Sequence, residues 1–331
     1  MVRLRTSSPR SRGWTRRRRG AGFSYLDAEG GPLAGDDVAR VRALAIPPAW
    51  RDVWICPVPN GHLQATGTDD AGRRQYLYHP QWRAKRDRLK FDRVLEAAPH
   101  LRAARRRVAR DLAASGMPRE RAAAIAVRLL DEGYFRVGGD VDADSESVGL
   151  TTLLRRHVRR HQGALIFRFT GKAGVRQTVT IDDEEVIEAL SPLRRRRSGH
   201  RLLAYRSGRS WTDLDAADVN DYLHELVGGE FTAKDFRTWH ATVIAAETLA
   251  SSEESGRSKA SRRRAVRAAI EEVAGYLGNS PTIAKNSYID PRVIDLYESG
   301  TTIAKAARKR HRNPEIRRAD LERAVLDMLG G

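Results

Sequence analysis

The sequence predicts an α+β protein, in which a small strand-rich N-terminal domain precedes a larger, mainly α-helical domain containing a β-hairpin or small sheet. Two observations lead to this prediction. Between Gly20 and Tyr78, short apolar or alternating runs are separated by turn residues. Beyond Phe91, apolar residues recur mainly at helical spacing. We expect three segments, which are a disordered basic arm over 1–19, the strand-rich domain over 20–90 and the helical domain over 91–331.

The strand-rich domain is predicted from three runs. The first, Trp54-Ile-Cys-Pro-Val-Pro-Asn-Gly61, places an Asn-Gly turn after an apolar stretch. The second is His62-Leu-Gln-Ala-Thr-Gly67, and the third, Gln75-Tyr-Leu-Tyr-His79, has the alternation of a strand with one solvated face. A charged, helix-compatible stretch from Pro80 to about Asp92 follows and is expected to bridge to the next domain.

The larger domain is predicted to be helical on both sides of one hairpin. Leu165-Ile-Phe-Arg-Phe-Thr170 and Val175-Arg-Gln-Thr-Val-Thr-Ile181 read as its strands, with Lys172 at the tip between them. Helical spacing predicts the remaining elements. They are two or three helices over 91–132 and single helices over about 218–226, 263–277 and 321–329.

The composition limits the possible partners. The 331 residues carry a formal net charge of +18, which favours a polyanion, with nucleic acid first and an anionic membrane second. No apolar run approaches the ~20 residues of a membrane span. Cys56 is the only cysteine, so no disulfide can form within the chain and a reducing, cytoplasmic location is expected.

Several familiar signals fail when they are tested. His224-Glu-Leu-Val-Gly228 lacks the second histidine of a zinc protease helix. Asp140-Val-Asp-Ala-Asp-Ser-Glu146 begins like a calcium loop but lacks the turn glycine and the closing glutamate. Gly171-Lys-Ala-Gly174 is too short for a phosphate-binding loop. We therefore expect neither a metal nor a small-molecule cofactor.

A set of motifs in one order along the chain resembles the type IB DNA topoisomerases, in their compact bacterial and poxvirus-like branch. The resemblance runs from about Gly20 to the C-terminus. The motifs that carry it are Ile46-Pro-Pro-Ala-Trp50, Asn60-Gly-His-Leu-Gln-Ala-Thr-Gly67, Gly72-Arg-Arg-Gln-Tyr-Leu-Tyr-His-Pro80, Gly149-Leu-Thr-Thr-Leu153, Phe169-Thr-Gly-Lys172, Lys234-Asp-Phe-Arg-Thr-Trp239 and the stretch around Tyr288.

The resemblance implies a catalytic domain related to that of the tyrosine recombinases and five site residues. Tyr288 corresponds to the nucleophile, Arg136, Lys172 and Arg237 to the three basic catalytic positions, and Asn279 to a position that is histidine in the poxvirus and eukaryotic enzymes. It implies relaxation of supercoiled duplex DNA through a 3′-phosphotyrosyl intermediate, without ATP or an obligatory metal.

The chemistry of these residue types agrees with such roles. Displacement at phosphorus places negative charge on nonbridging oxygens, which two guanidiniums can hold with charge-assisted hydrogen bonds. Lys172 is the candidate general acid for the leaving 5′ oxygen. A free phenol has a pKa of about 10, so Tyr288 needs nearby cations to become a good nucleophile. Asn279 can donate a hydrogen bond but cannot titrate.

The resemblance also implies that the Gln75-Tyr-Leu-Tyr78 stretch meets the DNA major groove. Gln75 is suited to an adenine edge, while Tyr76 and Tyr78 lie on one face of the strand and either touch DNA or pack on their own sheet. The expected DNA-binding residues are Gln75, Tyr76, Tyr78, Arg73, Arg74 and Lys234. One departure is the acidic stretch Gly138-Gly-Asp-Val-Asp142 after Arg136, which puts a poxvirus-like sequence preference in doubt.

Three functions remain open from the sequence. The first is a monomeric, nucleoid-associated topoisomerase that clamps duplex DNA. A tyrosine recombinase is the second, although recombinases usually carry histidine where this chain has Lys234, and their N-terminal domain is helical. The third is a basic DNA-compacting protein whose catalytic array is inactive.

Overall fold

The computed structural model describes residues 3–138, 147–252 and 258–330. Contacts divide the chain into two units, Met1–Leu89 and Lys90–Gly331. The first is rich in strands and the second is mainly helical with small sheets, so the predicted α+β class is confirmed. The predicted domain boundary, between residues 90 and 91, lies one residue from the division by contacts.

The N-terminal unit is built on an antiparallel five-stranded sheet with the order β2-β1-β3-β4-β5. Its strands are β1 (Trp14–Arg19), β2 (Gly22–Leu26), β3 (Arg51–Ile55), β4 (Leu63–Thr68) and β5 (Arg74–Tyr78). Helix α1 (Gly35–Ala43) contributes Val41 to a core that includes Ile55 and Ala65. The second and third predicted runs coincide with β4 and β5, whereas the first overlaps β3 only at Trp54 and Ile55, because β3 begins at the polar pair Arg51-Asp52.

The prediction of a disordered arm over 1–19 is wrong for the described residues. Residues 14–19 form β1, which pairs with both β2 and β3. The arginine run conceals this strand because only Arg16 turns its guanidinium inward, where it donates to the carbonyl oxygens of Ile46, Pro47 and Trp50. Arg17, Arg18 and Arg19 are exposed, as solvated strand residues can be.

The second unit surrounds its sheets with helices. The helices are α2 (Pro80–Ala97, whose last eight residues belong to this unit), α3 (Leu101–Leu112), α4 (Arg119–Gly133), α5 (Glu184–Arg195), α6 (Ala216–Val227), α7 (Ala233–Ser251), α8 (Lys259–Leu277), α9 (Pro281–Ser287), α10 (Pro291–Glu298), α11 (Ala304–Ala307) and α12 (Pro314–Gly330). The last helix begins seven residues before its predicted start, because Asn313 caps the hydrophilic first turn by accepting a hydrogen bond from the Glu315 amide at 2.7 Å.

Two small antiparallel sheets belong to the second unit. One has the order β6-β7-β8 and the other is a hairpin, with strands β6 (Val158–His161), β7 (Ala164–Thr170), β8 (Arg176–Ile181), β9 (Ala204–Ser207) and β10 (Ser210–Asp213). The predicted hairpin around Lys172 is confirmed as β7 and β8. Its inward residues Leu165, Phe167 and Ile181 join the main core. None of the helices in the described part of the chain has the length and apolar character that a bilayer crossing requires.

Candidate active site

Tyr288 lies at the end of a helical turn. It directly follows α9, and its backbone amide donates to the carbonyl oxygen of Ala284 at 3.1 Å. The residue is only 6% exposed, since its ring packs in a cluster with Ala241, Ala245 and Ile289. Tyr288 therefore has a fixed backbone and a packed ring.

Arg237 lies next to the tyrosine ring. It projects from α7, is 3% exposed, and places its guanidinium carbon 5.3 Å from the Tyr288 ring centroid. One terminal nitrogen donates to the carbonyl oxygen of Tyr134 and the other to that of Leu277 at 2.7 Å. The buried Nε has no hydrogen-bond partner among the described residues. Each terminal nitrogen is thus held through one of its two N–H groups, while the Nε–H donor is unused.

Arg136 and Asn279 meet although they lie far apart in sequence. The Arg136 Nη2 atom donates to the Asn279 Oδ1 atom. Asn279 follows Gly278, which ends α8 in the left-handed conformation with φ +59°. The Asn279 Nδ2 atom is buried and has no hydrogen-bond partner within the described ranges. The oxygen of this amide is therefore held by Arg136, while its N–H donors are unused.

A close approach of two chain segments positions Arg136. The Leu150 amide donates to the Arg136 carbonyl oxygen at 2.8 Å, and the Thr151 amide donates to that of Val137 at 2.9 Å. Gly149 permits this approach, because a Cβ atom there would lie 2.4 Å from the Gly138 Cα atom. The close approach of the two backbones thus explains why glycine stands first in the Gly149-Leu-Thr-Thr-Leu153 motif.

Lys172 lines the same cavity as the two arginines. The cavity encloses about 30 Å³ and is lined by Arg136, Lys172, Gln177, Arg237 and residues around them. Lys172 begins a short 3₁₀ turn and is exposed. Lys172 and the two arginines therefore lie close enough together to line one cavity.

The local charges favour the phenolate form of Tyr288. Burial raises the pKa of this phenol, but the positive charges of Arg237, Arg136 and Lys234 outweigh burial and bring the pKa below its ordinary value. Burial and the charge of Arg136 likewise lower the pKa of Arg237, to about 10, against the opposite effect of Tyr288. The tyrosine and its cations thus stabilise each other's charged forms.

A buried charge network holds the elements that carry Arg237 and Tyr134. Asp131, on the last turns of α4, accepts hydrogen bonds from Arg105 at 2.8 Å and from Arg318, and lies 3.0 Å from the Nε2 atom of His240. Burial alone would raise the pKa of Asp131, yet the two arginines hold it well below the usual range. Glu322 extends the network by accepting from Arg105 at 2.7 Å.

The segment around Tyr288 is also held from α2. The Lys90 Nζ atom donates to the carbonyl oxygen of Ser287 at 2.9 Å. On the other side of the tyrosine, Arg292 bonds Asp92 at 3.0 Å and Asp290 at 2.8 Å. Two residues of one helix therefore restrain the chain just before and just after the phenol.

Three contributors to the site escape prediction from the sequence. Tyr134 supplies the carbonyl oxygen that Arg237 bonds, and it does so from a left-handed conformation with φ 52°. Gln177 lines the cavity, and Lys90 holds the Ser287 carbonyl. A hydrogen bond to a backbone carbonyl oxygen does not depend on the side chain of the residue that supplies it. The sequence therefore held no signal for the role of Tyr134 other than its position just after Gly133, where a helix can end in a left-handed residue.

The predicted DNA-reading residues of β5 have several internal partners. Arg73 and Gln75 both donate to Asp69, the latter at 2.8 Å. The bond to Asp69 uses one N–H of the Gln75 amide, so its second N–H and its oxygen remain able to meet an adenine edge. Arg74 donates to Thr66 at 2.5 Å and remains exposed.

The two tyrosines of β5 stack on one face, as their spacing predicts. Their ring centroids lie 6.2 Å apart with an interplanar angle of 16°. Tyr78 packs on Trp54, Cys56 and Leu63, whereas Tyr76 is 48% exposed. Of the two roles considered for these tyrosines, packing on the sheet therefore applies to Tyr78. The ring of Tyr76 remains accessible.

Two further predictions concern the second unit. Lys234, predicted to bind DNA, is exposed on the first turn of α7 and is near enough to lower the pKa of Tyr288. It thus contributes to the electrostatics of the candidate site. The acidic stretch after Arg136 lies, from Gly139 onward, outside the described residues.

Comparisons with known proteins show which family the chain resembles. The chain matches the family model of the eukaryotic DNA topoisomerase I catalytic core over residues 79–314, and that of the bacterial DNA topoisomerase IB N-terminal domain over residues 22–69. DNA topoisomerase 1B of Acanthamoeba polyphaga mimivirus is 29% identical over 275 residues, covering 80% of each chain. DNA topoisomerase 1 of Daucus carota is 30% identical over 180 residues, which are 52% of this chain and 22% of the plant protein.

The matches decide between the functions that the sequence left open. The catalytic-core model alone covers more than two thirds of the chain, and it includes all five residues of the candidate site. The second model falls within the strand-rich unit, where the recombinase alternative expected helices. The chain belongs to the type IB DNA topoisomerase family and is a DNA topoisomerase.

Proposed function

We propose that this topoisomerase cuts one strand of duplex DNA through Tyr288, lets the duplex rotate and then rejoins the strand. The observation that carries the proposal is the buried Tyr288 phenol, whose pKa is lowered by Arg237 and Arg136. The phenolate oxygen attacks phosphorus, and the bond to the 5′ oxygen breaks. The 3′-phosphotyrosyl bond retains the energy of the cut linkage, so rejoining requires no ATP.

Arg136, Arg237 and Asn279 are proposed to bind the nonbridging oxygens of the reacting phosphate. Arg237 keeps one buried N–H donor free while its terminal nitrogens are fixed by the carbonyls of Tyr134 and Leu277. Asn279 keeps its amide donor free while its oxygen is held by Arg136. Donors that are already oriented need little reorganisation when charge develops in the transition state.

Lys172 is proposed to give a proton to the departing 5′ oxygen. It is exposed at the hairpin tip and lines the cavity shared by the two arginines. In rejoining, the 5′ hydroxyl returns its proton to Lys172 as it attacks phosphorus, and the Tyr288 phenolate leaves. Side chains thus supply all the positive charge and the proton that this proposed mechanism uses.

We further propose that the protein acts as a monomer on DNA in the cytoplasm. The five proposed catalytic residues come from one unit of one chain, so a single copy suffices for cleavage. The net charge of +18 favours association with the nucleoid.

Trapping of the covalent intermediate tests the proposed nucleophile. The wild-type protein, mixed with supercoiled plasmid in EDTA and then denatured with detergent, is expected to carry DNA linked to its chain. Peptide mapping should place the link on Tyr288, with the phosphate at the 3′ end of the cut strand. A link at another residue, a 5′ link or the absence of any adduct would contradict the proposal.

Lys90 is expected to act as a positioning residue for Tyr288. Lys90→Met removes the 2.9 Å hydrogen bond to the Ser287 carbonyl, so the phenol loses one restraint. Misplacement of a reacting group by about 1 Å can cost ~100-fold in rate. We expect single-turnover cleavage to fall by about 10- to 100-fold with unchanged DNA affinity.

The matched control for Lys90 is Lys305→Met, an equal loss of charge at an exposed lysine of α11. This variant should cleave at the wild-type rate, and Lys90→Arg should restore part of the lost rate. A loss in Lys90→Met that lies wholly in DNA affinity would instead identify Lys90 as a DNA contact.

A further inference from the structure

The outer face of the β6-β7-β8 sheet carries three arginines outside the catalytic set. Arg159 lies on β6, Arg168 on β7 and Arg176 on β8, and all three are exposed. We call them the arginine ladder. None of them has an ion pair or a side-chain hydrogen bond with another described residue, which leaves their guanidiniums available.

The strand register places the ladder on one diagonal. Arg168 pairs with Thr178, so Arg176, two residues before Thr178, is its diagonal neighbour. Arg159 pairs with Ile166, two residues before Arg168, and is the next diagonal neighbour. Diagonal neighbours are about 7–8 Å apart, so the ladder spans about 15 Å.

The opposite face of the sheet accounts for the orientation of these side chains. Val158, Leu165, Phe167 and Ile181 are buried in the main core. Because side chains alternate along a strand, the residues between them face solvent. The exposed Thr178 and Thr180 and the half-buried Ile166 share this outer face with the arginines.

The ladder begins beside the hairpin tip. Arg176 is the first residue of β8, four residues after Lys172 and next to Val175, which is 46% exposed. A duplex bound with its reacting phosphate at Lys172 would therefore have neighbouring phosphates within reach of Arg176 first. At about 3.4 Å of axis per nucleotide, a ladder of about 15 Å matches roughly four nucleotides of one strand.

We propose that the arginine ladder binds phosphates of one strand of the duplex that is being relaxed, and that it extends the DNA site beyond the catalytic residues. Its placement next to the reacting phosphate rests on the proposed role of Lys172. Spaced arginines on a flat strand surface bind phosphates without regard to base, so the ladder adds affinity without sequence preference.

The salt dependence of DNA binding tests the ladder. Duplex affinity is measured between about 50 and 200 mM salt in a Tyr288→Phe background, so that no strand is cut. Substitution of Arg159, Arg168 and Arg176 by Gln should reduce the slope of log K against log salt by about 2–3 and weaken binding at least about tenfold. Substitution of all three by Lys should retain the slope, because each charge still displaces a counterion.

The matched control is the triple substitution of Arg102, Arg106 and Arg110 by Gln. These three arginines are exposed on one face of α3, and their substitution removes the same charge as substitution of the ladder. If both triple variants change the slope equally, the effect is one of net charge and the ladder is refuted. An unchanged slope in a ladder variant that melts like the parent would also refute it. Neither result would affect the proposed nucleophile, since adduct formation is measured separately on the wild-type protein.

Discussion

Tyr288→Phe is expected to abolish relaxation of supercoiled plasmid while duplex binding persists. The substitution removes only the phenolic oxygen, so the ring keeps its packing against Ala241, Ala245 and Ile289. In other covalent enzymes, removal of the nucleophile costs on the order of 10⁶-fold in rate. Relaxation is measured in EDTA on positively and negatively supercoiled plasmid, and binding by a mobility shift on the same DNA.

Tyr205→Phe is the control for this prediction, because Tyr205 lies on β9 and takes no part in the candidate site. It should relax both plasmids at the wild-type rate and form the covalent adduct. Full relaxation by Tyr288→Phe would exclude the proposed nucleophile. Loss of binding together with activity would mean that the substitution disturbs the fold, which a thermal melt would reveal.

Lys172→Ala is expected to lower the cleavage rate by about 10²- to 10⁴-fold, the usual contribution of a general acid. Lys172 is exposed on a hairpin tip, so its replacement should leave the fold intact, which a thermal melt checks. The decisive measurement uses a duplex whose leaving 5′ oxygen is replaced by sulfur. A thiolate leaves without a proton, so this substrate should restore cleavage by the Lys172→Ala protein.

Arg237→Gln separates proton donation from charge stabilisation. It should lose activity to a similar extent, on the order of 10²- to 10³-fold, but the sulfur substrate should not restore it. The pH dependence adds a second difference. Arg237 lowers the pKa of Tyr288, so the fraction of phenolate at neutral pH falls when this charge is removed. The rise of the cleavage rate with pH should therefore move to higher pH in Arg237→Gln.

These two variants can also contradict the assignment of roles. Restoration of Arg237→Gln by the sulfur substrate would make Arg237 the proton donor. A Lys172→Ala protein that the substrate does not restore would place Lys172 among the phosphate ligands. Arg237→Gln also leaves the carbonyls of Tyr134 and Leu277 without their donor, at a cost of about 1–3 kcal/mol in unfolding free energy, so its melting temperature must be measured alongside.

The hairpin and most helices could be predicted because their signals are local. Alternation of apolar residues identified β7 and β8, and the buried face of that hairpin is the one the alternation indicates. The arginine run concealed β1 in the sequence. Only Trp14 and Arg16 of this strand turn inward, so its apolar residues do not alternate in a recognisable way. The start of α12 was missed because its hydrophilic first turn depends on a cap at Asn313.

The candidate site also has a part that the sequence could predict and a part that it could not. The sequence by itself determined which residue types are available, because Arg136, Lys172, Arg237, Asn279 and Tyr288 stand in motifs of recognisable order. Only the tertiary structure decided which atoms remain free to bind phosphate. That depends on partners such as the Tyr134 carbonyl, which is 103 residues from Arg237.

The physical reason is that chemistry resides in side chains, whereas their orientation is fixed by contacts between distant segments. Lys90, which bonds the Ser287 carbonyl 197 residues away, is an ordinary helix lysine in the sequence. The ladder of Arg159, Arg168 and Arg176 likewise exists only through the register of three strands. The sequence thus determined the family and the reacting groups, and the packing of distant segments decided their geometry.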